Sequence, residues 1–107
     1  MRHEMEEQTK LELAQQIASD LQRKFTELER KCLVVIGPKF SITIMTLGTK
    51  SEYSIYNALQ MHDVMVHQHG FTYAEFVESL AAEFEVSMIC EDIFMKYYAG
   101  VATIMSN

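Results

Sequence analysis

The chain has no tryptophan and a single proline, Pro38. Its four glycines (Gly37, Gly48, Gly70, Gly100) are scattered, each beside a turn or element end. That scarcity excludes a disordered or collagen-like chain, and it excludes a phosphate-cradling loop, which needs clustered glycines. No apolar run approaches the ~20 residues a membrane span requires; the longest, near Cys32–Ile36, is strand-sized. Only two cysteines occur, Cys32 and Cys90, 58 positions apart in apolar surroundings. They read as buried thiols in a reducing compartment, so a cytoplasmic location is expected. Residues 1–8 are too acidic for a secretion signal and read as a flexible tail.

Positive charge is the other shortage. Of a net −6, residues 1–31 contribute −1 and residues 32–71 contribute zero. Residues 72–107 set Lys96 against Glu75, Glu78, Glu83, Glu85, Glu91 and Asp92, for −5. Such a surface repels phosphate backbones and, as a docking site, would select a basic protein or peptide.

What is present is the composition of one packed domain: 107 residues, 49% hydrophobic and 22% charged. The order of elements predicts an α+β fold, with a long amino-terminal helix, a β-hairpin and a three-helix carboxyl-terminal bundle. Thr9 and Glu12 have the spacing of a capping box, predicting a helix over 9–31 with Leu11, Ala14, Ile17, Ala18, Leu21, Phe25 and Leu28 on its apolar stripe. A start near Glu4 would make this helix overhang the domain, and residues 9–31 would then offer a homodimer seam. The period changes at Cys32-Leu33-Val34-Val35-Ile36. With the Gly37-Pro38-Lys39 turn and the alternating Phe40-Ser41-Ile42-Thr43-Ile44, this predicts a hairpin over 32–47. Three helices follow within 54–105. The first runs from Ser54 to about Gln68 and stops at Gly70. The second is opened by a Thr72/Glu75 capping box and a Phe71–Phe76 staple, with Tyr73, Phe76, Val77, Leu80, Ala81 and Phe84 on its stripe. After a break at Val86-Ser87, the third buries Ile89, Ile93, Tyr97, Val101 and Ile104. Eight methionines read mainly as core filling.

Few constellations could carry chemistry. Asp63 and His67 lie one helical turn apart, with His62 and His69 nearby. Two imidazoles and a carboxylate can hold Zn²⁺ or Fe²⁺, so a small metal-dependent enzyme is one alternative, although the spacing fits no specific motif. Cys90 would sit in the first turn of a helix, which favours a thiolate, but Glu91 and Asp92 oppose that. Leu80 to Ser87 has the outline of a helix-turn-helix entry, making a transcriptional regulator the other alternative. The helix that would then enter the DNA, Met88 to Tyr98, offers Lys96 as its only cation beside Glu91 and Asp92, so direct DNA binding is disfavoured.

Gly70-Phe71-Thr72-Tyr73-Ala74-Glu75-Phe76-Val77, continued by Leu80–Ser87 and Glu91-Asp92-Ile93, resembles the helical part of the PqqD-like domains that recognise leader peptides. The resemblance covers about 70 residues, and its motifs are helix-start chemistry common to many domains. It implies a sheet followed by three helices, with a peptide added as an extra strand at the sheet edge. The chain departs from that pattern in its long first helix and in having only two obvious strands.

The expectation is therefore a protein without enzymatic activity or cofactor, an adaptor or inhibitor that binds another protein or peptide. A small acidic phage inhibitor would belong to this class. The expected contact residues are Phe40, Ser41 and Thr43 on the hairpin, with Glu75, Glu78, Glu83, Glu85, Glu91 and Asp92 on the acidic helices. An uncovered strand edge has backbone groups ready to pair with an incoming strand, whatever the family.

Overall fold

The structure is a computed structural model. It describes residues 6–48 and 51–106, with side chains as far as Tyr97, Met95 excepted. The elements are α1 (Glu7–Glu27), β1 (Cys32–Ile36), a one-turn 3-10 helix (Pro38–Phe40), β2 (Ile42–Thr46), β3 (Glu52–Ile55), α2 (Ala58–His62) continued as a π-helical turn (Asp63–Gln68), and α3 (Tyr73–Ser106). The α+β order is as expected: a long helix, an antiparallel sheet, then helices.

α1 begins at Glu7 without a side-chain cap, so Thr9 is interior and the expected capping box with Glu12 is absent. Of the expected tail, residues 1–5 lie outside the described residues, while Glu7 and Gln8 are helical. The helix stops four residues before Lys31. Glu29 takes a left-handed φ of 59° and Arg30 N–H donates to the Phe25 carbonyl (2.9 Å), while Glu29 N–H donates to that of Thr26 (3.0 Å). These two bonds satisfy the last carbonyls and turn the chain out of the helix. Ala14, Ile17, Ala18, Leu21 and Phe25 are all buried in the core of the same chain. Most of the apolar stripe of residues 9–31 is thus covered by the same chain, while Leu11 is half-buried and Leu28 exposed.

The hairpin supplies two strands of a three-stranded antiparallel sheet in the order β1-β2-β3. Its inner face, Cys32, Ile42, Ile44 and Ile55, packs against α1 and α3. β3 is a correction to the expected helix over 54–68. Tyr53 and Ile55 alternate with Glu52 and Ser54, a period of two, and Ile55 pairs with Ile42. Phe40 and Ser41 also fall outside the strands. Phe40 has φ 60° in the turn, and Ser41 Oγ is buried without a partner.

The other correction concerns the end of the chain. α3 is one continuous 34-residue helix, about 50 Å long, and it passes through Val86-Ser87 without a break. The three-helix bundle and its helix-turn-helix are therefore replaced by the short α2–π segment and this single helix. Phe84 and Met88, one turn apart, are both buried and carry the helix across the expected break. Its start is as expected: Thr72 N–H donates to Glu75 Oε1 (3.0 Å) and Glu75 N–H donates to Thr72 Oγ1 (3.1 Å). Those bonds hold the Glu75 carboxyl below its usual range. Phe71, the expected staple, is exposed, whereas Phe76 is fully buried.

The result is elongated, 69 × 25 × 24 Å, with a radius of gyration of 16.9 Å where a compact chain of this length has about 13 Å.

Candidate functional site

Most of the acidic residues expected to meet a partner are engaged within the chain. Arg30, just past the end of α1, donates from Nε and Nη2 to the two Glu85 oxygens (2.8 Å each) and from Nη1 to Asp92 Oδ2 (3.3 Å). This bidentate geometry is the strong form of the pair, and it raises the already high guanidinium pKa further. Lys24 pairs with Glu78, Ser51 donates to Glu91, and Glu75 is the α3 cap. The acidic side of α3 thus holds α1 and the β2–β3 connection in place. Glu83 is exposed.

His62 and His67 meet ring to ring, but the four residues of the expected cluster do not gather into one metal-binding group among the described residues. His62 is buried among rings, 5.2 Å from Phe76, 6.1 Å from Tyr73 and 5.5 Å from His67. Desolvation, reinforced by His67 and opposed by Asp63, lowers its pKa. Asp63, His67 and His69 are exposed, and among the described residues no group of three or more His, Cys, Asp or Glu is disposed to hold a metal ion. Cys32 is buried, with its thiol pKa pushed up by desolvation; Cys90 is exposed on α3. Next to the ring cluster, Tyr73 donates to Asp20 (2.6 Å). Burial and that bond push the phenol up, so it stays protonated and links α3 to α1.

Two surfaces remain that own-chain packing does not account for. The first is the outer sheet face. Leu33, Val35 and Met45 project from it and Leu47 follows just beyond, all exposed, while α1 lies on the opposite face. Thr43, from the expected contact set, sits among them and shares a hydrogen bond with Ser54 (2.9 Å). Ser41 is buried and Phe40 packs against the core, so neither is presented with it. A shallow groove at the end of this face is lined by Met45, Thr46, Leu47, Ser51 and Glu52.

The two sheet edges differ. The bonds from Leu47 N–H to Lys31 O and from Gly37 N–H to Ser41 O fix the β1–β2 phase, so Cys32 and Val34 turn their backbone groups outward. There the Gln22 side chain intervenes: Nε2 donates to Cys32 O (3.1 Å) and Oε1 accepts from Val34 N–H (2.9 Å). One carboxamide thus stands in for a neighbouring strand. At β3, Thr46 N–H donates to Ser51 O, so Glu52 and Ser54 turn their N–H and C=O groups away from β2. Among the described residues no strand pairs with that side. The sequence pattern did not show β3, although the alternation of Glu52-Tyr53-Ser54-Ile55 was the signal for it.

The second surface is the distal part of α3. Val86, Ile89, Ile93 and Tyr97 are 62%, 46%, 63% and 69% exposed. No described helix is long and apolar enough to cross a membrane. No family model, curated protein or solved structure matches the chain.

Proposed function

We propose that this chain is a non-enzymatic binding module, an adaptor or inhibitor, which takes up an extended segment of another protein along the outer edge of β3. The observation that carries this reading is the pairing of a strand edge that no described strand occupies with an exposed apolar face. Glu52 and Ser54 supply outward backbone donors and acceptors; on the same face Met45 is the cross-strand neighbour of Glu52, and Leu33 and Val35 continue the apolar surface one strand further, on β1. Strand addition draws its affinity from such backbone groups and its selectivity from alternate side chains laid on the face. The PqqD-like resemblance implies the same mode. The net charge of −6 favours a neutral or basic segment over a polyanion. With most α3 acids engaged internally, selectivity here comes from the sheet face more than from an acidic helix.

The test is capture of partners by the full chain, compared with a Val35→Glu/Met45→Glu variant and with Glu52→Pro, which deletes an outward N–H that the sheet does not use. The reading expects a dominant protein partner that both variants lose while keeping their melting transition. Equal recovery by all three proteins would end it.

A further inference from the structure

Along α3 the apolar row changes sides. At 100° per residue, Tyr73, Phe76, Leu80 and Phe84 lie on the side facing α1 and the sheet. Val86, Ile89, Ile93 and Tyr97 form a row centred roughly 140° around the helix from the centre of that side. The exposures agree: Phe84 is 2% exposed and Val86, two residues on, is 62%. The distal row is therefore no continuation of the core-facing stripe. It faces away from the chain's own core, on a helix that extends past it. We propose that this row is the contact surface for a second copy of this chain, packed antiparallel along α3.

Three observations select that occupant. The first is spacing. Val86, Ile89, Ile93 and Tyr97 are followed at the same period in the sequence by Val101 and Ile104, giving intervals of 3, 4, 4, 4 and 3. The series reads the same in both directions about position 95. A two-fold axis there sets 86 level with 104, 89 with 101 and 93 with 97, as an isologous antiparallel contact requires. The second is charge. Lys96 is the only cation among residues 72–107. Antiparallel pairing puts it within a turn of Asp92 of the other copy, whereas parallel pairing would place the two Lys96 side chains level. The third is area. The four described side chains expose roughly 400 Å² per chain, about 800 Å² for two copies, and Phe94, 56% exposed on the same stretch, adds roughly 100 Å² to each, bringing the available area to the ~1,000 Å² at which specific interfaces begin. This surface is separate from the β3 edge, so either proposal can fail without the other.

Sedimentation equilibrium of the full chain at micromolar concentration should give twice the 12.4 kDa chain mass. Ile93→Asp/Tyr97→Asp, which alters only exposed positions, should weaken self-association by about 100-fold or more. The sheet variant Val35→Glu/Met45→Glu should remain dimeric. A single-chain mass for the unaltered protein overturns the proposal, as does a dimer that the Asp pair leaves intact or the sheet pair dissolves. Milder variants cover the case where the aspartates unfold the helix. In a Cys90→Ser background, an oxidised equal mixture of Ile93→Cys and Tyr97→Cys chains should cross-link mainly as mixed dimers. Predominant Ile93→Cys self-cross-links would mean parallel packing and would also overturn it.

Discussion

The two halves of α3 share one backbone and differ in everything attached to it. From Tyr73 to Met88 the helix is bound on several sides: Phe76, Leu80 and Phe84 are buried, Tyr73 holds Asp20, and Glu85 holds Arg30. From Ile89 onward large apolar residues, Ile89, Ile93, Phe94 and Tyr97, are exposed beside the charged Asp92 and Lys96. A helix is stabilised chiefly by what its apolar side packs against, and isolated helical segments of this length are marginal in water. The proximal half obtains that packing from its own chain, whereas in the proposed antiparallel dimer the distal half obtains it from a second copy. Apolar content alone does not separate core from contact surface; the side of the helix on which it falls does.

The comparison can be broken most sharply in the proximal half. Leu80→Ala should lower stability by about 3–4 kcal/mol through lost burial and a residual cavity. Ile93→Ala should cost under about 0.5 kcal/mol in dilute protein, rising with concentration only as the chains associate. Chemical denaturation at two concentrations reads both effects. Ser87→Pro would impose the break that the helix lacks, at about 3 kcal/mol. Its expected signature is loss of self-association together with a weakened but still cooperative melt.

Arg30→Ala comes next, since it strands Glu85 beside a half-covered surface. A loss of about 1–3 kcal/mol is expected, and thermal melts of Arg30→Ala, Glu85→Ala and the double variant should show the two losses to be non-additive. Thr72→Ala removes one half of the reciprocal cap and should cost about 1 kcal/mol.

The smallest effect is a pH dependence. The folded-state pKa of His62 lies below its ordinary value of 6.5 because of desolvation first and His67 second, with Asp63 opposing. The unfolded chain thus takes up the proton more readily, so stability should be fully present above about pH 7 and decline as pH falls through the unfolded pKa. His62→Phe should flatten the melting temperature between pH 7 and 5.5, and an unchanged slope would assign the effect to another group.

Much of this was legible in the sequence. The α1 stripe, the β1–β2 pair, the Thr72/Glu75 cap and the stop at Gly70 follow from local chemistry, and Gly70 takes the left-handed φ of 74° that its position asks for. The row Ile89, Ile93, Tyr97 was also readable, but as a buried side. Period says which residues share a face, not what lies opposite that face. Val86-Ser87 suggested a break because a β-branched residue and a hydroxyl both disfavour helix, yet burial of Phe84 and Met88 on either side outweighs two small propensities. The acidic patch misled for a related reason. Its cations sit about 55 residues away on and just after α1, and no local pattern shows that Arg30 reaches Glu85. Gln22 gave no signal at all, since an interior glutamine of a helix is ordinarily a solvated side chain.

That glutamine ties the integrity of the β1 edge to the slow hydrolysis of one amide. Conversion to glutamate would keep the oxygen that accepts from Val34 but turn a second oxygen, in place of the donor, against the Cys32 carbonyl. An ageing sample would thereby lose its edge guard one molecule at a time, acquiring a sticky strand and one extra negative charge together. Charge-separated fractions of stored protein should then differ in their tendency to form fibrous aggregates, with the more acidic fraction seeding them.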